Sequence, residues 1–270
     1  MSHTVDVAHY YDRLTSLFQR AGFTKRTGAI HRVVKPPVDL HLDGATQDTI
    51  HALVIRELSA LPACDAVADL GCGVGASMQA VVMALTPSTH VSGITISPVQ
   101  ATCVQSGSAF VASFDALPYA DASLAAVWAI ESFAHCHNPA RFFAEVARVL
   151  RPGGLCMICD DMLAPNHVSP FIAAFQNGWM VPNIATYDTH QQQATLAGLR
   201  LSKRIDLSDG LTIRALPDLL AQWIVDAVLP RVRTHLFLRS MIGSMALQQC
   251  YKHRAMRYEF VVFEKSYASK

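Results

Sequence analysis

Near the start of the chain Val7, Tyr10, Tyr11, Leu14, Leu17 and Phe18 recur at helical spacing, which predicts an amphipathic helix over 7–20 ending before Gly22. A polar stretch follows, T-K-R-T-G-A-I-H-R-V-V-K-P-P over 24–37, whose paired prolines exclude a regular helix beyond Lys35. Ile50, Leu53, Val54 and Leu58 then share a face and predict a helix over about 46–58. From there the pattern changes. Residues 66–85 read as a short buried strand, a glycine turn and an apolar helix, and 90–97 as a second strand. Ser97 and Pro98 are a cap and a first helical residue, opening another helix. A weak strand is expected around 110–113, a clear one over 124–130, a helix over 139–150 stopped by R-P-G-G, and a fifth strand over 155–159. This alternation predicts an α/β fold with a mostly parallel sheet covered on both faces. Beyond it, 165–182 and 189–197 read as helical, 199–206 as a strand, 217–251 as largely helical and 257–264 as an alternating strand. The last two strands predict an antiparallel hairpin closing the sheet.

With 270 residues, 51% of them apolar, and a mean hydropathy of +0.24, the chain can bury a full core. The 22 Lys+Arg against 21 Asp+Glu give a net charge of +1, which excludes a generic nucleic-acid binder. The charge is unevenly placed. Residues 13–38 hold six Lys/Arg and no acid, and so do 227–258; the 39–226 stretch between them holds 17 acids and eight Lys/Arg. No apolar run approaches the ~20 residues of a membrane helix, and no signal-peptide pattern opens the chain, so a cytoplasmic protein with no membrane partner is expected. Seven scattered Cys fit reduced, small apolar residues.

The chemistry concentrates where strands end. D-L-G-C-G-V-G at 69–75 lets backbone approach a ligand closely and offers helix N–H groups to a polar end. The acid ~20 residues on that a dinucleotide site prefers is absent; Thr95 and Ser97 stand there. Together with L-P-Y-A-D-A-S at 117–123 and V-L-R-P-G-G at 149–154, this loop resembles the class I S-adenosylmethionine-dependent methyltransferases. G-I-T-I-S-P-V-Q at 93–100 and A-I-E-S-F-A-H at 129–135 resemble the branch of sterol C-methyltransferases, cyclopropane fatty acid synthases and prenyl-diphosphate C-methyltransferases. The resemblance implies a Rossmann-like, mostly parallel seven-stranded sheet with an antiparallel C-terminal strand. It divides the chain into a helical cap with a basic substrate-covering segment over 1–60 and a methyltransferase domain over 61–270, with helical insertions at about 163–198 and 217–251. It also implies that Asp69, Leu70, Gly71, Cys72 and Gly73 hold the methionine end of the cofactor, that Thr95, Ile96 and Gln100 lie along its ribose and adenosine, and that Ser113, Phe114 and Ala129 complete its site. The usual adenine-side acid is replaced by Ser113, with Asp115 beside it.

Methylating an alkene carbon leaves a carbocation that needs aromatic faces and a carboxylate. Glu131, directly after an apolar strand, is the candidate carboxylate, and His135 lies four residues on. His135 to His137, H-C-H, has metal-ligand types, but adjacent loop residues rarely converge on one ion, so no metal site is expected. Cys156 and Cys159 fall within a strand, on opposite faces. Asp160 and Asp161 read as strand-end residues, serving a turn or orienting a substrate or Mg²⁺. Tyr10, Tyr11, Phe171, Phe175, Trp179, Tyr187 and Tyr258 could line a cation-tolerant substrate cavity, with His31 and Arg32 facing an anion. The leading expectation is a C-methyltransferase of an isoprenoid alkene, a prenyl diphosphate by preference, using the two basic arms and Mg²⁺ held through the diphosphate. The alternatives are an O- or N-methyltransferase with His135 as base and a catalytically silent partner subunit. The small-molecule substrate is the expected partner; a homodimer is left open.

Overall fold

The computed structural model describes residues 2–20, 31–36, 49–166, 168–182, 184–232 and 234–267. Helices α1 (Ser2–Arg20) and α2 (Thr49–Ser59) precede the alternating part: β1 (Ala66–Leu70), α3 (Ala76–Ala84), β2 (His90–Thr95), α4 (Pro98–Cys103), β3 (Ser108–Val111), β4 (Leu124–Ile130), α5 (Pro139–Val149) and β5 (Leu150–Leu163). Then come α6 (Ile172–Trp179), α7 (Tyr187–Leu196), β6 (Leu199–Asp206), α8 (Asp218–Trp223), α9 (Leu229–Val232), α10 (Leu236–Lys252) and β7 (Met256–Lys265), with a π turn over Ile224–Val228 joining α8 to α9. One seven-stranded sheet runs β3-β2-β1-β4-β5-β7-β6. The first five strands pair in parallel, and β7 is antiparallel to both β5 and β6. The chain builds outward from β1 through β2 and β3, then returns to the other side with β4. A crevice therefore opens beyond the carboxyl ends of β1 and β4, where such sheets bind ligands.

β4 shows why these residues form this sheet: all seven are buried, as a central strand covered on both faces requires. Trp128 and Ile130 pack with α2, α3, α6 and α10 on one face; Val127 and Ala129 pack with Phe142, Phe143 and α7 on the other. Burying each such large side chain contributes roughly 1.5–3 kcal/mol. Cys159 and Cys156 fall in the two opposite layers, as strand alternation predicts.

Three expectations need correcting. The fifth strand is 14 residues long rather than five, because R-P-G-G stops α5 yet stays within the ladder and β7 keeps pairing as far as Leu163↔Met256. The 165–182 helix is confined to α6, whereas 217–251 is largely helical as expected, in the pieces α8, a π turn, α9 and α10. The first helix begins at Ser2, five residues early, and the apolar Leu17 is 38% exposed. Positions 46–48 of the predicted 46–58 helix lie outside the described residues, and α2 covers the rest of it.

Two features fix what surrounds the crevice. Helix α1 lies on α4: Asp12 Oδ1 accepts from the Ser97 hydroxyl at 2.5 Å and from Val99 N–H at 3.3 Å. Helices α6 and α10 cross at Gly178 and Gly243, where a Cβ on Gly178 would come 2.8 Å from Gly243 N. Among the described residues no helix is long and apolar enough to cross a membrane.

Candidate active site

A cavity of about 440 Å³ lies beyond the ends of β1, β2, β4 and β5, closed over by α1, α6, α10 and residues 31–32. Its first half is built by the glycine turn. Gly71 and Gly73 have φ of +87° and +53°, a region that costs other residues energy, and Gly71 N–H and Cys72 N–H both donate to Ile94 O. A Cβ on Gly71 would collide with Ser132, whose hydroxyl donates to Leu70 O at 2.7 Å, so the ends of β1 and β4 touch only because position 71 has no side chain. Thr95, Ile96, Gln100, Ala112, Ser113, Phe114 and Asp115 continue the wall. Asp69 sits beneath the turn and accepts from the Ser77 hydroxyl; burial pushes its carboxyl up to about 6.

The second half centres on Glu131. This residue has φ of +49°, an uncommon conformation for a side chain of its size, held by its N–H donating to Cys159 O at 2.9 Å. Its Oε1 accepts from the Tyr258 hydroxyl at 2.7 Å and from Arg32 N–H at 3.2 Å, and the His31 imidazole stands 3.6 Å from Oε2. Burial alone would raise its carboxyl; the contact with His31, the charge of Arg32 and the Tyr258 hydroxyl overcome this and hold it at about 2. Glu131 is therefore an anion in an enclosed, mostly apolar wall. Across the cavity, His135 Nε2 and the Tyr11 hydroxyl are 2.6 Å apart. Phe175, Trp179, Val181 and Leu247 supply apolar surface.

Asp160 and Asp161 are not strand-end residues, since β5 outruns β4 and carries both into the cavity wall. Asp160 accepts from Ala134 N–H at 2.9 Å and from Asp161 N–H at 2.8 Å, which shapes the turn carrying His135. Burial and the neighbouring Asp161 charge raise its carboxyl to about 7. Asp161 has a cation: both Arg32 guanidinium Nη atoms donate to it, as does the Tyr251 hydroxyl, and the guanidinium lies 4.8 Å from the centre of the Tyr258 ring.

Of the residues expected at the cofactor, Gly71, Cys72, Gly73, Thr95, Ile96, Gln100, Ser113 and Phe114 line the cavity, while Asp69, Leu70 and Ala129 lie beneath its floor. Of those expected at the substrate, Tyr11, His31, Arg32, Phe175 and Trp179 line it. Tyr258 stands behind Glu131 rather than on the surface. Tyr10 turns away, its hydroxyl donating to Gly178 O at 2.9 Å, and Phe171 packs against the His253 ring in the core. Tyr187 lies on the other side of the sheet under the Arg204 guanidinium, 3.7 Å from its ring centre, and belongs to no substrate cavity. Among the described residues of the two basic arms, Arg32 is the one Lys or Arg that lines the cavity. Arg32 is occupied by Asp161, Lys25 and Arg26 lie outside the described residues, and Lys252, Arg239 and Arg257 bind Asp218, Asn177 O and Asp206 elsewhere. Burial pushes the Cys136 thiol, at the centre of H-C-H, up to about 12, and no cluster of metal-ligating residues occurs among the described residues. Sequence reasoning missed Thr15, Ser132 and the α10 residues Ser244, Leu247 and Gln248. Thr15 was detectable as one helical turn beyond Tyr11; the α10 residues carry no local signal.

The cofactor half fits S-adenosylmethionine: a glycine turn with no room for a side chain at Gly71, polar groups at the end of β2 for a sugar, and Ile96, Ala112 and Phe114 for a flat base. Comparison with known proteins agrees. A family described as a methyltransferase domain matches residues 68–158. The O-methyltransferase resE of Aspergillus sclerotiorum is 30% identical over 224 residues, covering 76% of this chain and 80% of its own. The chain belongs to the S-adenosylmethionine-dependent methyltransferases. In fold it is similar to a geranyl diphosphate methyltransferase solved with GPP and sinefungin (TM-score 0.74, 18% identity, 98% of this chain and 100% of that one). It is equally similar to the cyclopropane synthase MmaA2 of Mycobacterium tuberculosis (TM-score 0.74, 20% identity, 97% and 98%).

Proposed function

We propose that this methyltransferase transfers the methyl group to an alkene carbon of an apolar, isoprenoid-like small molecule. The observation that carries the reading is Glu131, part-buried in the cavity wall, fixed by two hydrogen bonds and the nearby His31 imidazole, and held ionised by them. S-adenosylmethionine supplies an electrophilic sulfonium methyl. A π bond attacking it would form the C–CH₃ bond as the S–CH₃ bond breaks and S-adenosylhomocysteine leaves, placing positive charge on carbon, and a preorganised carboxylate in the cavity wall favours that charge. The Tyr11, Phe175 and Trp179 rings add faces that tolerate a cation. A carboxylate held at about 2 is a poor base, so Glu131 is assigned to stabilising the cation, and the proton that the cation then loses passes to His135, which lines the same cavity.

Among the described residues the cavity gives a diphosphate little support, because Arg32 is already neutralised by Asp161. The acceptor is therefore proposed to react without a diphosphate and without Mg²⁺. A second reading, O-methylation with His135 as general base, is favoured by the Tyr11–His135 contact and by the similarity to a protein named an O-methyltransferase.

The test is incubation of purified protein with methyl-labelled cofactor and a panel of isoprenoid alkenes, prenyl diphosphates, sterols, phenols and alcohols, with and without Mg²⁺. Carbon-bound label on an uncharged alkene supports the first reading. Label on oxygen alone overturns it in favour of the second, and turnover confined to diphosphates with Mg²⁺ refutes the charge argument.

A further inference from the structure

Val7, Tyr11 and Thr15, each four residues apart on α1, all line the cavity, so one helix face runs along both of its halves. Tyr11 meets His135 in the acceptor half. Thr15, 7% exposed, lies in the cofactor half, where its Oγ1 accepts from Gln100 Nε2 at 3.2 Å. Gln100 Oε1 in turn accepts from the Thr95 hydroxyl at 2.8 Å, and Thr95 Oγ1 accepts from Ser97 N–H at 3.2 Å. Three neutral polar side chains thus form a chain at the end of β2, where Thr95, Ile96 and Ser97 provide no acid. The Gln100 carbonyl and the Thr95 proton are used on one another. Thr15 keeps its hydroxyl proton, which donates to no group among the described residues, and Gln100 keeps one amide proton.

We infer that Thr15 is a cofactor-binding residue: its hydroxyl, beside the Gln100 amide, takes the ribose hydroxyls of S-adenosylmethionine, so the N-terminal helix forms part of the cofactor site. A vicinal diol both donates and accepts, and a threonine hydroxyl next to an amide N–H meets both needs without burying a charge. The helix is held for this task at two further points, by Asp12 on Ser97 and Val99 and by the Tyr10 hydroxyl on Gly178 O. Because Tyr11 rides on the same face one turn earlier, seating the cofactor against Thr15 also seats Tyr11 against His135. Cofactor and acceptor sites are coupled through a rigid helix, and the coupling is reciprocal.

The experiment is calorimetric titration of the full chain with S-adenosylhomocysteine and with its 2′-deoxy and 3′-deoxy analogues, for wild type, Thr15→Val and Thr15→Ser. Thr15→Val is expected to weaken S-adenosylhomocysteine roughly 3- to 10-fold, the size of one hydrogen bond. It should weaken the analogue lacking the contacted hydroxyl less than twofold, and Thr15→Ser should restore wild-type affinity. Wild-type affinity in Thr15→Val overturns the inference. So does an equal loss for all three ligands, which would mean that the substitution displaces the helix. Hydrogen exchange gives a second readout: amides of α1 should gain protection with S-adenosylhomocysteine, and unchanged exchange across 2–20 would contradict the coupling.

Discussion

Glu131 joins two properties that seldom coincide, a backbone conformation unfavourable for its side chain and a carboxylate that stays ionised although largely withdrawn from solvent. Each is offset by specific partners: Cys159 O and the ladder fix the backbone, while Tyr258, His31 and Arg32 fix the charge. Glu131→Gln keeps the shape and removes the charge. It is expected to lower kcat by about 10²-fold while leaving the affinity for S-adenosylhomocysteine unchanged; steady-state kinetics and calorimetry check both. Tyr258→Phe removes one donor to Oε1 and should lower kcat less, by about tenfold, the size of a hydrogen bond to a charged group. A Glu131→Gln variant with full turnover would deny Glu131 its role. Glu131 and His135 were readable because they follow a strand whose apolar run is unmistakable. The Arg32–Asp161 pair was not readable, since its members are 129 positions apart and no local pattern joins them. Tyr187 shows the converse: its aromatic character was visible, but the side of the sheet it faces was not.

At the level of elements, the strands that hold the site were the most legible and the helices that cover it the least. β4 and β6 match their predicted bounds because each is a single run with clear ends. β5 exceeds its prediction because Pro152, Gly153 and Gly154 punctuate most sequences, whereas here the ladder to neighbouring strands absorbs them. The cover depends on one crossing. Gly178→Ala would push a methyl group against the backbone of Gly243, forcing α6 and α10 apart and shifting Phe175, Trp179 and Leu247. The expected result is a destabilisation of about 1–3 kcal/mol, the usual range for overpacking, together with a raised KM for the acceptor. Denaturant melts and steady-state kinetics read the two effects; an unchanged KM in a destabilised variant would show that the crossing holds the fold and not the cavity.

For the molecule as a whole, near-neutral net charge conceals an acidic centre, and the pH response follows from how that centre is solvated. Asp160, raised to about 7, keeps its proton when folded after the unfolded chain has lost it. From about pH 4 to pH 7 its contribution to stability therefore falls as pH rises, and above pH 7 it is constant. Asp69, at about 6, acts in the same direction, whereas His190, which burial lowers to about 4, acts oppositely between 4 and 6.5. The bulk curve mixes these terms, so the informative quantity is a difference. The Tm of Asp160→Asn relative to wild type should climb between pH 4 and 7 and then level off. A flat difference across that window would show that Asp160 is ionised in the folded protein. Because Gly71 and Glu131 line one cavity among the described residues, an adenosine fragment tethered to an amine-bearing hydrocarbon could occupy both halves at once. Such a bisubstrate inhibitor would gain from the tether what two separate ligands lose on meeting in one chamber.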